Sequence, residues 1–141
     1  AQAKKIFDKA LRAGFRRFRV SVIDMYPHVR ERFLKAGLPL PYGPNGFSPS
    51  VEQLRAVDKM LEEIWYRAPQ AQIESCAEPG LQVPIKCGCI SSYDLELLGL
   101  DEPDADAAGP QRKNCMCYSG KTELLKHKAQ CEHRCLYCYW H

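Results

Sequence analysis

The 141-residue sequence has no apolar run of membrane-spanning length, and no apolar segment behind a basic start that would be typical of a signal peptide. It also has no HExxH motif, no glycine-rich phosphate loop and no nucleophile elbow. A membrane-spanning helix is therefore not expected, and a hydrolase has no support. We expect a cytoplasmic protein with no membrane partner.

Cysteine is absent from the first 75 residues, whereas eight cysteines follow at positions 76, 87, 89, 115, 117, 131, 135 and 138. Because no secretory feature indicates an oxidising compartment, clustered thiols are expected to bind metal rather than to form disulfides. Thiolates are soft ligands that select zinc, Cu(I) or iron–sulfur clusters. The sequence therefore predicts a protein that binds metal through cysteine.

Negative charge is scarce at both ends of the chain. Lys and Arg outnumber Asp and Glu by ten to three in residues 1–50 and by six to two in residues 111–141, whereas residues 51–110 have four against twelve. The simpler interpretation is a solvated surface with faces of opposite charge. The alternative is a basic cleft that attracts an anion such as a phosphate or a nucleic acid.

A basic and aromatic segment is the candidate contact with a nucleic-acid partner. It comprises Phe15, Arg16, Arg17, Phe18 and Arg19. Lys and Arg contacts with phosphates dominate nucleic-acid affinity. The competing interpretation, which we prefer, is that these arginines are solvated side chains leading into a strand.

Hydrophobic periodicity predicts an α/β unit over residues 1–78. The predicted elements are a helix at 3–13, a strand at 18–24, a helix at 26–37, a helix at 50–67 and a strand at 71–78. This alternation is typical of a parallel sheet, in which ligands lie at the strand ends. Two strands make a poor sheet, so we expect further strands from outside this chain or from a partner.

Residues 79–141 differ in character and predict a cysteine-rich, mostly irregular C-terminal module. Short helices are indicated at 94–100 and 121–128, and the acidic segment 101–111 is typical of a loop. The predicted domains are therefore residues 1–78, the α/β unit, and residues 79–141, the module that binds a metal or an iron–sulfur cluster.

The last cysteines, Cys131, Cys135 and Cys138, are separated by three and then two residues. Three thiolates on one tight turn can bind three irons of a 4Fe–4S cluster and leave the fourth iron open to a small molecule, whereas four ligands close the cluster and leave electron transfer. The alternatives are a zinc site and a closed cluster completed by a fourth cysteine.

The earlier cysteines supply a second candidate site. Its predicted ligands are Cys76, Cys89, Cys115 and Cys117, and four thiolates suffice for either zinc or a second 4Fe–4S cluster. Cys87 is the first that we would assign to simple apolar burial instead. Glu78 follows Cys76 closely and could orient a ligand, although an exposed carboxylate is the simpler interpretation.

The terminal spacing, with Tyr137 directly before the last cysteine, resembles the signature of radical S-adenosylmethionine enzymes. The resemblance implies that the open iron binds S-adenosylmethionine, which one electron cleaves to methionine and a 5′-deoxyadenosyl radical. Tyr137 is the candidate for stacking on the cofactor's adenine. Together with Tyr139 and Trp140 it could instead cover the cluster and exclude water.

A wider resemblance covers most of the chain. It rests on "SVIDMY" at 21–26, Cys76-Ala-Glu, Cys89-Ile, Gln111-Arg112-Lys113, Cys115-x-Cys117, Ser119 and the terminal cysteines. This order resembles a bacterial family of unknown function whose C-terminal cysteine cluster is similar to that of radical S-adenosylmethionine proteins. The resemblance implies a partial (β/α) barrel-like unit, with this chain corresponding to the C-terminal half of a member. It departs at "SGKTELL", where members usually have Asp-Ile-Gly, and at Trp140, where a small residue is more usual.

The predicted function is that of an iron–sulfur protein, a radical S-adenosylmethionine-like redox enzyme with an unknown small-molecule or macromolecular substrate and an electron donor as partner. One alternative is an electron-transfer or structural protein whose iron–sulfur clusters are all closed. The other is a zinc-stabilised module that binds nucleic acid.

Overall fold

The computed structural model of the chain describes residues 2–101, 114–118 and 135–138. The chain divides into two compact units. We call the first, Ala1–Ser21 with Val51–Lys121, the sheet unit, and the second, Val22–Ser50 with Thr122–His141, the tail unit. The predicted helix at 121–128 and most of the predicted loop at 101–111 lie outside the described residues.

Seven elements follow one another in the described part of the chain. They are α1 (Gln2–Arg12), β1 (Arg17–Val20), α2 (Pro27–Lys35), α3 (Val51–Arg67), β2 (Gln72–Ser75), β3 (Ile85–Lys86) and α4 (Ser92–Leu98). Helix α2 belongs to the tail unit and the other six to the sheet unit. The predicted helices agree with α1, α2 and α3 within two residues at each end, whereas α4 begins and ends two residues earlier than predicted.

The three strands form one parallel sheet in the order β1-β2-β3. Residues Arg17 to Val20 pair with Gln72 to Ser75, and Glu74 and Ser75 pair with Ile85 and Lys86. A mixed α/β structure with a parallel sheet is therefore confirmed, while the barrel-like arrangement stays a prediction. Strand β3 was not predicted from the sequence, because two exposed residues show no hydrophobic alternation.

Both predicted strands are shorter than expected at their carboxyl ends. Pairing between β1 and β2 stops at Val20 and Ser75, although the apolar pattern continues. Directly after Cys76, Ala77 adopts a left-handed backbone with φ of 55°. A left-handed residue cannot continue an extended strand, so the chain turns at this point.

One face of the sheet packs against helices. Phe7 of α1, Leu61 and Ile64 of α3 and Ile73 of β2 form a buried apolar cluster, against which Phe18 also packs. Because strand side chains alternate between the two faces, the neighbouring polar residues of β1 and β2 lie on the opposite face. The helices thus bury the apolar residues of the strands and leave the charged ones on the other side.

The opposite face has a closed ring of charges. The two carboxylate oxygens of Glu74 each accept a 2.8 Å hydrogen bond, one from Nε of Arg17 and one from Nε of Arg19. Asp94 of α4 accepts bonds of 2.5 and 2.6 Å from the same two guanidinium groups. Glu74 is only 1% exposed. This ring, which we call the charge ring, connects α4 to the sheet.

The charge ring changes the interpretation of the basic segment. Arg17 and Arg19 are paired with carboxylates in a strand and are not solvated side chains that precede it. Arg16 donates to the backbone oxygens of Leu11 and Phe15. These interactions weaken the case for this segment as a phosphate contact, because two of its three charges are already compensated.

The charge ring also predicts acid sensitivity. Burial raises the pKa of Glu74, but the hydrogen bonds from Arg17 and Arg19 outweigh it, so the pKa lies below its usual value. Asp94 has a lowered pKa for the same reason, since hydrogen bonds from both arginines and from Ser91 exceed the effect of burial. These carboxylates therefore contribute stability above the ordinary carboxyl pKa of about 4, which is lost as the pH falls through the lowered values.

We expect Glu74→Gln to lower the free energy of unfolding by about 2–3 kcal/mol at pH 7, somewhat less than for fully enclosed pairs because both arginines reach solvent. Urea unfolding measures this difference. The difference in the free energy of unfolding between the wild type and Glu74→Gln should shrink as the pH falls below 4. Glu62→Gln, on an exposed position of α3, is the matched control and should change stability little. Equal effects of the two substitutions would contradict the role of the ring.

Candidate metal centre

The cysteines of the sheet unit gather where the parallel strands end. Cys76 directly follows β2, and Cys87 and Cys89 follow β3. The described segment 114–118 adds Cys115 and Cys117. Because the carboxyl ends of parallel strands lie at one edge of a sheet, this is the edge at which ligands bind in open α/β sheets.

Three of these thiols converge on one point. The sulfur atoms of Cys76, Cys115 and Cys117 all lie within 4.8 Å of one another and could hold a metal ion. The Sγ atoms of Cys76 and Cys117 are 3.7 Å apart. Cys89 lines a cavity together with these three thiols. We call Cys76, Cys89, Cys115 and Cys117 the sheet-edge thiols.

These four are the ligands that the sequence predicts for the second site. Three of them, Cys76, Cys115 and Cys117, are in the converging group, and Cys89 as the fourth ligand stays a prediction. Burial and the nearby carboxylate of Glu74 raise the pKa of the Cys87 thiol. Cys87 and Cys89 both lie outside the group of three that converges on one point in the described part of the chain. Cys89, unlike Cys87, lines a cavity with that group, so the two cysteines lie in different surroundings. All seven described cysteines are free thiols.

Backbone groups donate hydrogen bonds to the converging sulfurs. The backbone N–H of Cys89 lies 2.9 Å from Sγ of Cys117. The backbone N–H groups of Met116 and Cys117 act to lower the pKa values of Cys76 and Cys115, respectively, although burial and the neighbouring thiols outweigh them. Such bonds stabilise negative charge on sulfur, and outer contacts of this type orient the ligands of metal sites.

These contacts give the four sheet-edge thiols different pKa values. Burial raises the pKa of Cys117, but backbone bonds from Ile90 and Cys89 and the thiols of Cys115 and Cys76 outweigh it and lower the pKa to about 6. In the other three sheet-edge thiols burial, together with the neighbouring sulfurs, raises the pKa. The group therefore presents one thiolate at neutral pH, which is the form that binds metal.

Gly88 permits the close approach of two backbone segments at this site. A Cβ atom at Gly88 would lie 2.5 Å from the backbone oxygen of Met116, 2.7 Å from that of Ile90 and 2.8 Å from Cα of Cys117. These are backbone atoms that cannot rotate away. Residue 88 must therefore be glycine for the segment with Cys117 to reach Cys89, a requirement that sequence analysis did not identify.

Side chains of β1 and α3 bind the loops that surround the thiols. Arg19 of the charge ring also donates to the backbone oxygen of Cys89. Asp58 of α3 accepts bonds of 2.9–3.0 Å from the backbone N–H groups of Gln82 and Val83. The position of the thiols therefore depends on charged residues of both faces of the sheet.

Glu78 differs from the simpler sequence interpretation. It is 8% exposed, not a surface carboxylate, and it accepts a 2.5 Å hydrogen bond from the hydroxyl of Ser21. This burial could not be predicted from local sequence, because Ser21 is 57 residues away in the chain. Glu78 helps to join the end of β1 to the turn after Cys76.

A cavity of about 230 Å³ adjoins the thiols. Its lining comprises the four sheet-edge thiols with Arg19, Val20, Ser21 and Ala77. The guanidinium of Arg19 gives one wall a positive charge. Glu74 and Asp94 pair with this guanidinium, so its charge is already compensated within the charge ring.

The terminal cysteines belong to the tail unit. Cys131 lies outside the described residues. The backbone N–H of Cys138 donates a 2.9 Å bond to the backbone oxygen of Cys135, so these two cysteines lie on a tight turn. Cys135 is exposed and Cys138 is half-buried. Tyr137, the predicted cofactor contact, is 64% exposed on the same turn.

Helix α2 supports this turn within the tail unit. Nη1 of Arg32 donates to the backbone oxygens of Leu136, at 3.4 Å, and of Cys138. The contact joins residues more than 100 positions apart in the sequence. It places a positive charge beside two predicted ligands.

Comparison with known proteins gives one result. The family model described as a domain of unknown function, DUF1848, matches residues 2–140. The chain belongs to this family. No curated protein and no solved structure was found to match it. Within the described residues, the DUF1848 chain has no helix that is both long and apolar enough to cross a membrane.

We expect Gly88→Ala to weaken Zn²⁺ binding to this DUF1848 protein by at least about tenfold, although every thiol is kept. Backbone overpacking costs about 1–3 kcal/mol, and the displaced segment contains two of the sulfurs. Competition with a chelator measures the affinity. Gly80→Ala is the control, because its added Cβ meets only the movable end of the Leu54 side chain. Unchanged Zn²⁺ affinity in Gly88→Ala would contradict the assigned contact.

Proposed function

We propose that this DUF1848 protein is an iron–sulfur cluster-binding redox enzyme of the radical S-adenosylmethionine type. Its terminal cysteines Cys131, Cys135 and Cys138 would bind three irons of one 4Fe–4S cluster. The observation that supports this most directly is the tight turn that joins Cys135 to Cys138, since closely spaced cysteines on one segment commonly supply several ligands of one cluster. The third ligand, Cys131, follows from the spacing alone.

The surroundings of the turn fit such a cluster. Cys135 is exposed, so its sulfur can bind an added iron without displacing a packed side chain. The Arg32 guanidinium would offset part of the negative charge that thiolates and sulfide bring. When bound, the cluster supplies the electron that cleaves S-adenosylmethionine to methionine and a 5′-deoxyadenosyl radical.

Tyr137 is the proposed contact for the cofactor. Its ring is largely exposed and stands between two predicted iron ligands in the sequence. An exposed aromatic ring at this position can stack on adenine, which is worth about 1–3 kcal/mol for a base. In this proposal Tyr137 orients the nucleoside and does not take part in the chemistry.

The substrate would be a small molecule or a macromolecule, and an electron-transfer partner would supply the reducing electron. A reducing, cytoplasmic setting is proposed because free thiols in this number persist there. The sheet-edge thiols are a separate candidate metal site, and the proposed enzyme activity does not require them.

Anaerobic purification with iron and sulfide analysis tests the proposal. We expect about four irons and four sulfides per chain at the terminal site, and their loss in a Cys135→Ser, Cys138→Ser double variant. Cys87→Ser is the matched control, since Cys87 belongs to the sheet unit and is not a predicted ligand of the terminal cluster, and it should keep the iron. Reduced protein mixed with S-adenosylmethionine should then release 5′-deoxyadenosine.

Two other results would each overturn the proposed enzyme. Iron and sulfide without any 5′-deoxyadenosine would indicate a closed cluster used for electron transfer or structure. Zinc alone, with a salt-dependent shift of RNA or DNA, would indicate a zinc-stabilised nucleic-acid-binding module.

Arg32→Gln is expected to lower the iron content of the anaerobic protein by about half or more, because the turn loses its donor and the cluster loses a compensating charge. Colorimetric iron analysis measures the change. Lys35→Gln on the same helix, where the lysine is exposed and pairs with Glu31, should leave iron content unchanged. Full iron occupancy in Arg32→Gln would show that this contact does not support the cluster.

A further inference from the structure

We propose that the four sheet-edge thiols bind one tetrahedral metal ion, of which Zn²⁺ is the type, as a closed structural site. This goes beyond the proposed enzyme, which uses the terminal cysteines, and it does not depend on them. It also decides between the two kinds of centre, a single ion and a second 4Fe–4S cluster, that the sequence left open for these cysteines.

The distances between sulfur atoms support a single ion. Zinc binds thiolate sulfur at about 2.3 Å, so two sulfurs at the tetrahedral angle on one zinc lie about 3.8 Å apart. Sγ of Cys76 and Sγ of Cys117 are 3.7 Å apart, and Cys115 completes a set within 4.8 Å. In a 4Fe–4S cluster each cysteine binds a different iron at a different corner, which holds the sulfurs farther apart than ligands of one ion. The observed group is too compact for that arrangement.

Cys89 is the fourth ligand in this proposal. Its backbone N–H lies 2.9 Å from Sγ of Cys117, and it lines the same cavity as the three converging thiols. It is exposed, so a rotation of its side chain meets no packed neighbour. Four cysteine ligands close a zinc site and leave no position for water or substrate, which is typical of structural zinc.

The contacts around the group suit a centre with excess negative charge. One divalent cation with four thiolates has a net charge of −2. The backbone N–H of Cys89, at 2.9 Å from Sγ of Cys117, offsets part of that charge.

The role of the ion follows from which segments it joins. Cys76 follows β2, Cys89 follows β3, and Cys115 and Cys117 lie in the segment 114–118. The apolar cluster of α1, α3 and β2 does not include these residues. The ion would therefore fasten the segment 114–118 to the sheet edge, while the helices pack on the sheet without it.

The test uses the full chain with Cys131, Cys135 and Cys138 changed to serine, so that only the sheet-edge thiols can bind metal. The reduced, metal-free protein is titrated with Co²⁺ alone, whose intense visible bands report tetrahedral thiolate coordination, and then with Zn²⁺ to displace it. We expect one equivalent of Co²⁺ per chain and full displacement by Zn²⁺. Anaerobic treatment of the same variant with iron and sulfide should leave no cluster.

Single substitutions on this background identify the ligands. Each of the substitutions Cys76→Ser, Cys89→Ser, Cys115→Ser and Cys117→Ser should weaken Zn²⁺ binding by roughly 100-fold or more, above the effect of losing an outer contact. Cys87→Ser, two residues from Cys89, is the control and should bind Zn²⁺ like the parent. X-ray absorption of the zinc-loaded parent measures the ligand set without any of these variants and should show four sulfurs.

The proposal is overturned if Cys89→Ser binds Zn²⁺ as tightly as the parent does. It is also overturned if X-ray absorption shows three sulfurs with a lighter fourth ligand, or if the parent assembles an iron–sulfur cluster at this site. If the proposed enzyme activity were wrong, the experiments would give a different set of results. The wild-type chain would then lack iron or 5′-deoxyadenosine release, while the Co²⁺ and Zn²⁺ results at the sheet edge stayed as expected.

Discussion

The parallel pairing of β2 with both of its neighbours is the constraint on which the candidate centre depends. Since all three strands run in the same direction, the residues that follow them meet at one edge of the sheet. Cys76 and Cys89 are thirteen positions apart in the chain, and the pairing places both beside the segment that contains Cys117. A shift of β3 along β2 would move Cys89 away from the other sulfurs.

The sheet has two chemically different faces, and both influence that edge. On one face, buried apolar residues pack against α1 and α3, and Asp58 of α3 binds the loop that precedes β3. On the other face, Glu74 and Asp94 neutralise two arginines, one of which also binds the backbone at Cys89. The same ion pairs that stabilise the fold therefore hold a loop of the candidate metal site in place.

The two cysteine groups differ in the structures that support them. The sheet-edge thiols converge from three segments of the sheet unit, with backbone N–H groups directed at their sulfurs. Cys135 and Cys138 lie on a single turn supported by Arg32 in the tail unit. Convergence from distant segments is suited to an ion that joins them, whereas ligands on one short turn are suited to an added cofactor. A division between one structural ion and one reactive cluster is consistent with this difference.

The order of the main helices and strands could be predicted from the sequence, because periodicity and turn residues act over a few neighbouring positions. The class of ligand could be predicted as well, since the softness of a thiolate is a property of the side chain itself. Strand β3, the burial of Glu74 and Glu78 and the need for glycine at residue 88 could not, because each depends on a partner far away in the chain. Only the tertiary structure brought Cys117 to 3.7 Å from Cys76, since distances between sulfurs are decided by how remote segments pack.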